Sequence, residues 1–440
     1  MFKQAATAGA MTRNLIAIVV VAILNGRLAE AQDPPVPTPS EDDAVAEKVA
    51  KHPSIQIGHV LTLDFSGRLE SDVRAATPAI GQEVAQADWQ SRRIGIAGRV
   101  FKRIDFDVSR ELGKDYETST GLSEKTAWRD AYVDARLTKA LRLEAGLFKL
   151  PFGHEETIGE TNLDFAYRSL AARVLSPGRD AGVMAHGRLF DRMLEYQVGY
   201  FTRDGSNART SQTSGGRDAR VARFVVAPLA SRGPSPMAPL RIGVAIADSR
   251  IDDRLGIRGR TVLGDGVFFD RVSVNGRRER IGWEAAWALG PAGLSGEYIR
   301  SSDERRGMGF SGADLPRVDS SAWSIGGTWA VTGEHKHGRL EPHRDFLHGG
   351  PGAIEVAGRV ETLAFNGSTY PTVDFGFPNP AKLAANADHV ATIGVNWYLN
   401  HYAKVQADII RESIDDPERS PAPATSGRFT STVIAMQFRL

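Results

Sequence analysis

A sixteen-stranded antiparallel β-barrel that crosses a membrane is the all-β fold class this sequence predicts. Three observations carry the prediction. From Ile55 onward the dominant hydrophobic period is two, the period of a strand with unlike faces. Most apolar-alternating segments run nine to eleven residues, the number that crosses a bilayer at a tilt. The segments between them alternate between short turns and long Gly/Asp/Arg/Ser-rich loops, the pattern of bacterial outer-membrane barrels.

The segments can be taken in order. Strands are expected near 57–69, 91–101, 103–110, 127–137, 141–149, 181–189, 193–203 and 219–227, and then near 239–249, 280–288, 292–300, 321–332, 353–364, 388–398, 401–411 and 428–440. In 91–110 one set reads Ile94, Ile96, Gly98, Val100, Ile104, Phe106, Val108. The other reads Arg93, Gly95, Ala97, Arg99, Asp105, Asp107, Ser109. Ala131, Val133, Ala135 and Leu137 oppose Asp130, Tyr132, Asp134 and Arg136 in the same way. Leu240, Ile242, Val244 and Ile246 oppose Arg241, and Ile393, Val395, Trp397 and Leu399 oppose Thr392, Asn396 and Tyr398. Short turns follow at 101–103, 137–141, 189–193, 290–291 and 399–400, with longer ones at 228–238 and 332–352. Long loops are expected at 70–90, 150–180, 250–279 and 365–387. A soluble sandwich has no reason to sort its loops by end in this way. The fold class therefore carries short periplasmic turns and long extracellular loops.

A sheet in lipid must close on itself, since every backbone polar group needs a partner there. Sixteen strands leave an aqueous lumen rather than a packed core. The apolar set then faces lipid and the polar set faces water. An arginine on the lipid face near the midplane costs roughly 2–4 kcal/mol, so Arg93, Arg99, Arg136, Arg142, Arg241 and Arg359 are expected to point inward or lie at a rim. Arg92 has the apolar parity and belongs at a strand end, where a long side chain can snorkel.

Composition bounds the rest. Of 440 residues 42% are hydrophobic and 24% charged, and 54 basic residues balance 53 acidic ones. Nothing in that balance calls for nucleic acid as a partner. The basic side comprises 43 Arg and 11 Lys. Arginine presents a planar fork suited to phosphate and carboxylate. Cysteine is absent, which excludes disulfides and thiolate metal sites. At the N-terminus Lys3 and Arg13 precede the apolar run Leu15 to Leu24, and Ala29-Glu30-Ala31 follows. This reads as a secretory signal peptide over 1–31. The Pro-rich, then charged, segment 32–54 reads as a flexible periplasmic leader. The barrel is assigned to 55–440. An exported barrel of this kind belongs in the bacterial outer membrane, with its lipid as one partner.

Several motifs, in order, resemble the phosphate-selective porin O and P family. The strongest is TIGVNWYLNHYAKVQADII (Thr392 to Ile410), followed by LRLEAGLFKLPFGHEE (Leu141 to Glu156) and FAYRSLAARVLSPGRDAGV (Phe165 to Val183). GWEAAWALGPAGLSGEYIR, WAVTGE and GAIEVAGRVETL continue the likeness. The chain departs from the family at its end, where Phe438 stands third from last and Leu440 closes the sequence. The resemblance implies a homotrimer that passes phosphate or other small anions through a water-filled pore. It implies a ladder of basic residues down that pore, with the loop 150–180 folded inward to narrow it. The family's basic residues match Arg68, the Arg92-Arg93 pair and Arg168. Its acidic residue before Leu/Val-Ser-Arg matches Asp107. Arg173 and Arg179 lie on the same loop and tie it to the wall. Arg99 joins the ladder by parity.

Arginine forks would replace the water that an oxyanion loses in a narrow pore. A weakly selective porin for other small solutes is the alternative. A soluble or surface-attached β-protein used in binding or catalysis is the reading from another class. No cofactor and no enzymatic activity are expected: there is no P-loop, no H-E-x-x-H and no dinucleotide fingerprint. His335, His337, His343 and His348 cluster beside Glu334, but their spacing matches no standard zinc pattern, and a solvated turn is the reading taken.

Overall fold

Period-two alternation needs hydrogen-bonded neighbours on both sides, and the computed structural model supplies them by closing the sheet. It describes residues 53–77, 85–112, 116–117, 123–124, 128–207, 216–230, 236–263, 266–367, 373–374, 377–378, 383–416, 418 and 427–440. The expected signal peptide, and the leader up to residue 52, lie outside the described residues.

Sixteen antiparallel strands form the barrel. They are β1 (Leu61–Thr77), β2 (Ala85–Val100), β3 (Ile104–Glu111), β4 (Trp128–Arg136), β5 (Arg142–Lys149), β6 (Arg179–Leu189), β7 (Leu194–Phe201) and β8 (Arg217–Val226). The second half comprises β9 (Arg241–Leu255), β10 (Ser273–Leu289), β11 (Ala292–Arg305), β12 (Leu315–Ala330), β13 (Ala353–Phe365), β14 (Asn386–Tyr398), β15 (Ala403–Ile414) and β16 (Arg428–Arg439). Each strand pairs with its sequence neighbours, and β1 pairs with β16 to close the ring.

Closure has an extra part. A short strand, Ser54–Ile57, turns at Gly58 (φ 57°) and pairs with Leu61–Asp64 of β1. It occupies the same edge of β1 that β16 uses higher up, from Arg68 to Thr77. The two meet at Gly67, whose N–H and C=O bond the backbone of Leu440 at 3.3 and 2.8 Å, while the Phe65 N–H donates to Pro53 O at 2.9 Å.

The outer face carries Phe65, Leu69, Ile94, Ile96, Val133, Leu143, Ile242, Trp283, Ile325, Ile393 and Ile434, all exposed in the isolated chain. Large apolar side chains ringing a barrel exterior are what lipid contact requires. No helix among the described residues is long and apolar enough to cross a membrane. Crossing is by strands.

Two features differ from the sequence reading. Several strands outlast their apolar alternation. β1 and β2 run into the segment 70–90, and β9 and β10 into 250–279, both of them segments expected as long loops. β10 spans 17 residues, beyond the nine to eleven that cross a bilayer. Past the lipid there is no reason for one face to be apolar, so alternation stops while pairing continues: Arg277 and Glu279 face outward there.

The interior is also not uniformly aqueous. A core of Leu150, Phe152, Leu170, Val174, Leu175, Ile299 and Leu363 fills part of it, joined by Val262, Phe268, Phe269 and Phe365. Phe269 stacks on Phe365 at 4.1 Å. Most of these apolar side chains come from segments folded in from the loops, around 150–178 and 256–269, and they pack against Ile299 of β11 and Leu363 and Phe365 of β13. An apolar run in a loop can be buried only by turning into the barrel.

Candidate functional site

The site is built by the segment between β5 and β6. It turns inward at Gly153 (φ 79°), where a Cβ would stand 2.4 Å from Glu297 Oε1. Glycine is needed here both for the left-handed backbone and for the space. The His154 N–H donates to that same Oε1 at 2.7 Å and starts a single helical turn, His154–Thr157.

Glu160 follows and reaches the wall formed by β1, β2 and β4. Arg68 of β1 and Arg93 of β2 are direct cross-strand partners on the inner face. Two like charges so placed repel. Glu160 lies between them: it accepts from an Arg68 guanidinium nitrogen and from Arg93 Nη2 at 2.9 Å, and its other oxygen accepts from Arg129 Nη2 at 3.0 Å. Arg68 also bonds Glu70 at 2.8 Å, Arg93 meets Glu111 at 3.2 Å, and Arg179 bonds Asp130 at 3.0 Å. Burial alone would push the Glu160 carboxyl up. Arg68, then Arg93 and Arg129, more than reverse that and hold it well below the usual carboxylate range.

The segment is then strapped across the lumen. Asp164 accepts from Lys336 Nζ at 2.5 Å, and the same ammonium bonds Glu355 of β13 at 2.7 Å. Burial works against the Lys336 charge, but Asp164 and Glu355 together hold its pKa above the ordinary value. Lys404 Nζ donates to Leu163 O at 2.9 Å, the Ala166 N–H to Asp408 at 2.8 Å, and the Leu170 N–H to Glu361 at 2.6 Å. Arg359 bonds Glu155 at 3.1 Å and lies over the Phe165 ring at 4.5 Å.

These straps divide the inner wall. Along β3–β7 several inward side chains keep solvent access: Asp105 is 25% exposed, His186 18% and Arg188 34%, although Arg129, Asp134 and Arg142 between them are buried. Along β13–β15 they do not. Glu355 and Glu361 are fully buried, Asp408 is 2% exposed and Glu412 1%.

The sequence-derived candidates separate accordingly. Arg68 and Arg93 are brought together at Glu160, and Arg179 pairs beside them. Arg168 does not join them: it staples its own loop, donating to Glu155 O and, at 2.8 Å, to Ile158 O. Arg173 reaches Val262 O on the second in-folded segment and lies against Tyr167. Arg99 bonds Asp105 at 2.6 Å near the short-turn end, away from the cluster. Asp107 faces inward on β3, opposite Ala97 and Tyr132. Arg92 stands opposite Leu69, on the outward parity.

Sequence reasoning missed Arg129. Strict alternation from Val133 puts it outside. A bulge inserts it as an extra residue, because Ser109 pairs with Asp130 while Arg110 pairs with Trp128. The cue was the charged dipeptide Arg129-Asp130 at the head of an otherwise clean strand. The site as a whole comprises four guanidinium groups (Arg68, Arg93, Arg129, Arg179) and four carboxylates (Glu70, Glu111, Asp130, Glu160). The histidine run does not converge: His335 and His337 stack at 6.0 Å, while His343 faces Glu334 and His348 faces Asp345.

A closed sixteen-stranded barrel with an apolar exterior and an inward loop defines the class of outer-membrane porins. Residues 64–440 match the family described as "Phosphate-selective porin O and P", and the chain belongs to that family. It is 23% identical to Porin O of Pseudomonas aeruginosa over 362 residues, 73% of this chain and 75% of the relative. Solved structures share the fold. The outer-membrane channel DcaP of Acinetobacter baumannii superposes with a TM-score of 0.54 at 10% identity, covering 88% of this chain and 99% of that one. An anion-selective porin from Comamonas acidovorans gives 0.50 at 13% identity (86% and 100% covered). The trimer form of OmpT of Vibrio cholerae gives 0.51 at 13% (87% and 100% covered). The protein is a porin of the bacterial outer membrane.

Proposed function

We propose that this porin passes phosphate and related small oxyanions, along a water path over the β3–β7 wall that narrows beside Glu160. One observation carries the reading: three guanidinium groups, from Arg68, Arg93 and Arg129, converge on a single carboxylate. Forks that satisfy a carboxylate satisfy a phosphate oxygen by the same charge-assisted bonds. Glu160 acts as a tethered anion that pre-orders the cradle, and a passing oxyanion competes with it. The pairing of Arg179 with Asp130 and of Arg99 with Asp105 continues the ladder with weaker, partly neutralised sites. Conduction needs such moderate sites, because one deep site traps the ion. Arg168 and Arg173 shape the constriction by holding the loop 150–180 rather than by touching the ion. Asp107 tunes cation rejection. Arg92 anchors the outer surface. A homotrimer, a signal peptide over 1–31 and a periplasmic leader over 32–54 complete the proposal.

The equal count of arginines and carboxylates at the site favours a second reading, a weakly selective porin for small solutes. Planar bilayers separate the two. Reversal potentials in a KCl gradient should favour chloride, and added phosphate should reduce chloride current in wild type. Equal permeability of potassium and chloride without phosphate block would leave only the second reading.

A further inference from the structure

We propose that Asp134, Glu144 and His186 form a divalent-cation site of the zinc type on the open inner wall, on the short-turn side of the Glu160 cluster.

The three come from adjacent strands. Asp134 of β4 is the cross-strand partner of Glu144 of β5, and His186 of β6 stands opposite Arg142, two residues before Glu144. Val133, Leu143 and Val183, of opposite parity on the same three strands, are exposed on the outer face, so all three point into the barrel. His186 Nε2 lies 3.3 Å from Asp134 Oδ2 and 3.8 Å from Glu144 Oε2, and the three ligand atoms lie within 4.8 Å of one another. Metal bonds of about 2.0–2.2 Å at tetrahedral angles place ligand atoms roughly 3.4 Å apart, so little movement is needed to admit an ion.

Two observations go beyond clustering. Asp134 is 7% exposed, and its Oδ1 has no hydrogen-bond partner among the described residues. His186 Nε2 is buried and likewise lacks a hydrogen bond there, although it points at two carboxylates. Arg142 donates to Asp134 Oδ2 at 2.9 Å and also bonds Asp105. It bonds the same oxygen that faces His186 and so holds Asp134 in place, leaving Oδ1 as the oxygen without a hydrogen bond. It also supplies part of the countercharge, which limits affinity.

One imidazole and two carboxylates suit zinc, whereas magnesium prefers oxygen ligands alone. Three protein ligands leave a fourth position open to water or to an oxyanion in transit. A bound ion would place two positive charges on the wall of the path and oppose cation entry. The binding claim stands whether or not the pore selects phosphate.

The test uses untagged, full-length protein in detergent, titrated with ZnCl2 by calorimetry, with single-channel recordings in KCl alongside. Wild type should bind one zinc that magnesium does not displace, and potassium current should fall as zinc is added. H186N and E144Q should each weaken that binding at least tenfold and abolish the current response, while their zinc-free conductance shows that the barrel has folded. H335N/H337N in the 332–352 turn should retain the site. Equal zinc affinity in wild type and H186N, or loss of the site in H335N/H337N, would overturn the proposal.

Discussion

The inner walls of β3–β7 and of β13–β15 follow the same alternation of inward polar and outward apolar residues, yet they have opposite fates. On the first, Asp105, His186 and Arg188 meet solvent. On the second, Glu355, Glu361, Lys404 and Asp408 are sealed beneath the in-folded loop and the 331–352 turn. The difference lies in what covers each wall and not in the strands. One loop serves both ends of the contrast: its Asp164–Leu170 half packs down a wall of carboxylates and amines, and its Glu160 tip extends toward arginines. Polarity along a barrel interior therefore does not by itself mark the route of water.

Breaking a strap on the sealed wall should have the largest effect. Lys336→Ala leaves Glu355 buried without its ammonium, and removing one partner of a buried pair costs about 3–5 kcal/mol. The midpoint of denaturant unfolding in detergent should drop clearly, with a change in pore current as Asp164 loses its anchor. Glu160→Gln should act on the open wall instead. It leaves three guanidinium groups without their shared countercharge. A single unit charge at about 4 Å in water contributes about 1 kcal/mol, so the chloride-to-potassium permeability ratio should rise roughly fivefold. An unchanged ratio would move the narrowest point away from Glu160.

Arg168→Ala should loosen the loop without removing a charge from the cradle. Open-channel noise should increase, with a smaller shift in selectivity than Glu160→Gln gives. Acidification should do less still. The Glu160 carboxyl is depressed, so its ion pairs are fully present above the ordinary carboxylate value of about 4.3 and are lost only as pH falls through the lower, folded-state value. Selectivity should therefore hold steady from neutral pH to about 5. Arg92→Gln, on the outward parity, should leave the reversal potential unaltered.

Much of the barrel was legible because lipid imposes a rule that strands cannot evade. Sixteen segments, their order and the inward parity of Arg93, Arg99, Arg142 and Arg359 follow from it. Legibility stops where lipid stops. The upper parts of β1, β2, β9 and β10 pair without alternating, so they read as loops. Arg129 was hidden by a bulge, which reverses parity at one residue. The core inside the barrel was hidden by location: Leu170, Val174 and Phe268 carry no mark in sequence that distinguishes burial in a lumen from burial in any other core. The family resemblance places Arg168 near the narrowest point, and the fold employs it to bind loop carbonyls.

The edge of β1 shared by Ser54–Ile57 and β16 makes the wall a band fastened by a clasp, with Pro53 held at Phe65 and Leu440 at Gly67 as its two halves. One edge of one strand thus joins two segments nearly four hundred residues apart, Ser54–Ile57 and Arg428–Arg439, and the seam of the wall depends on both.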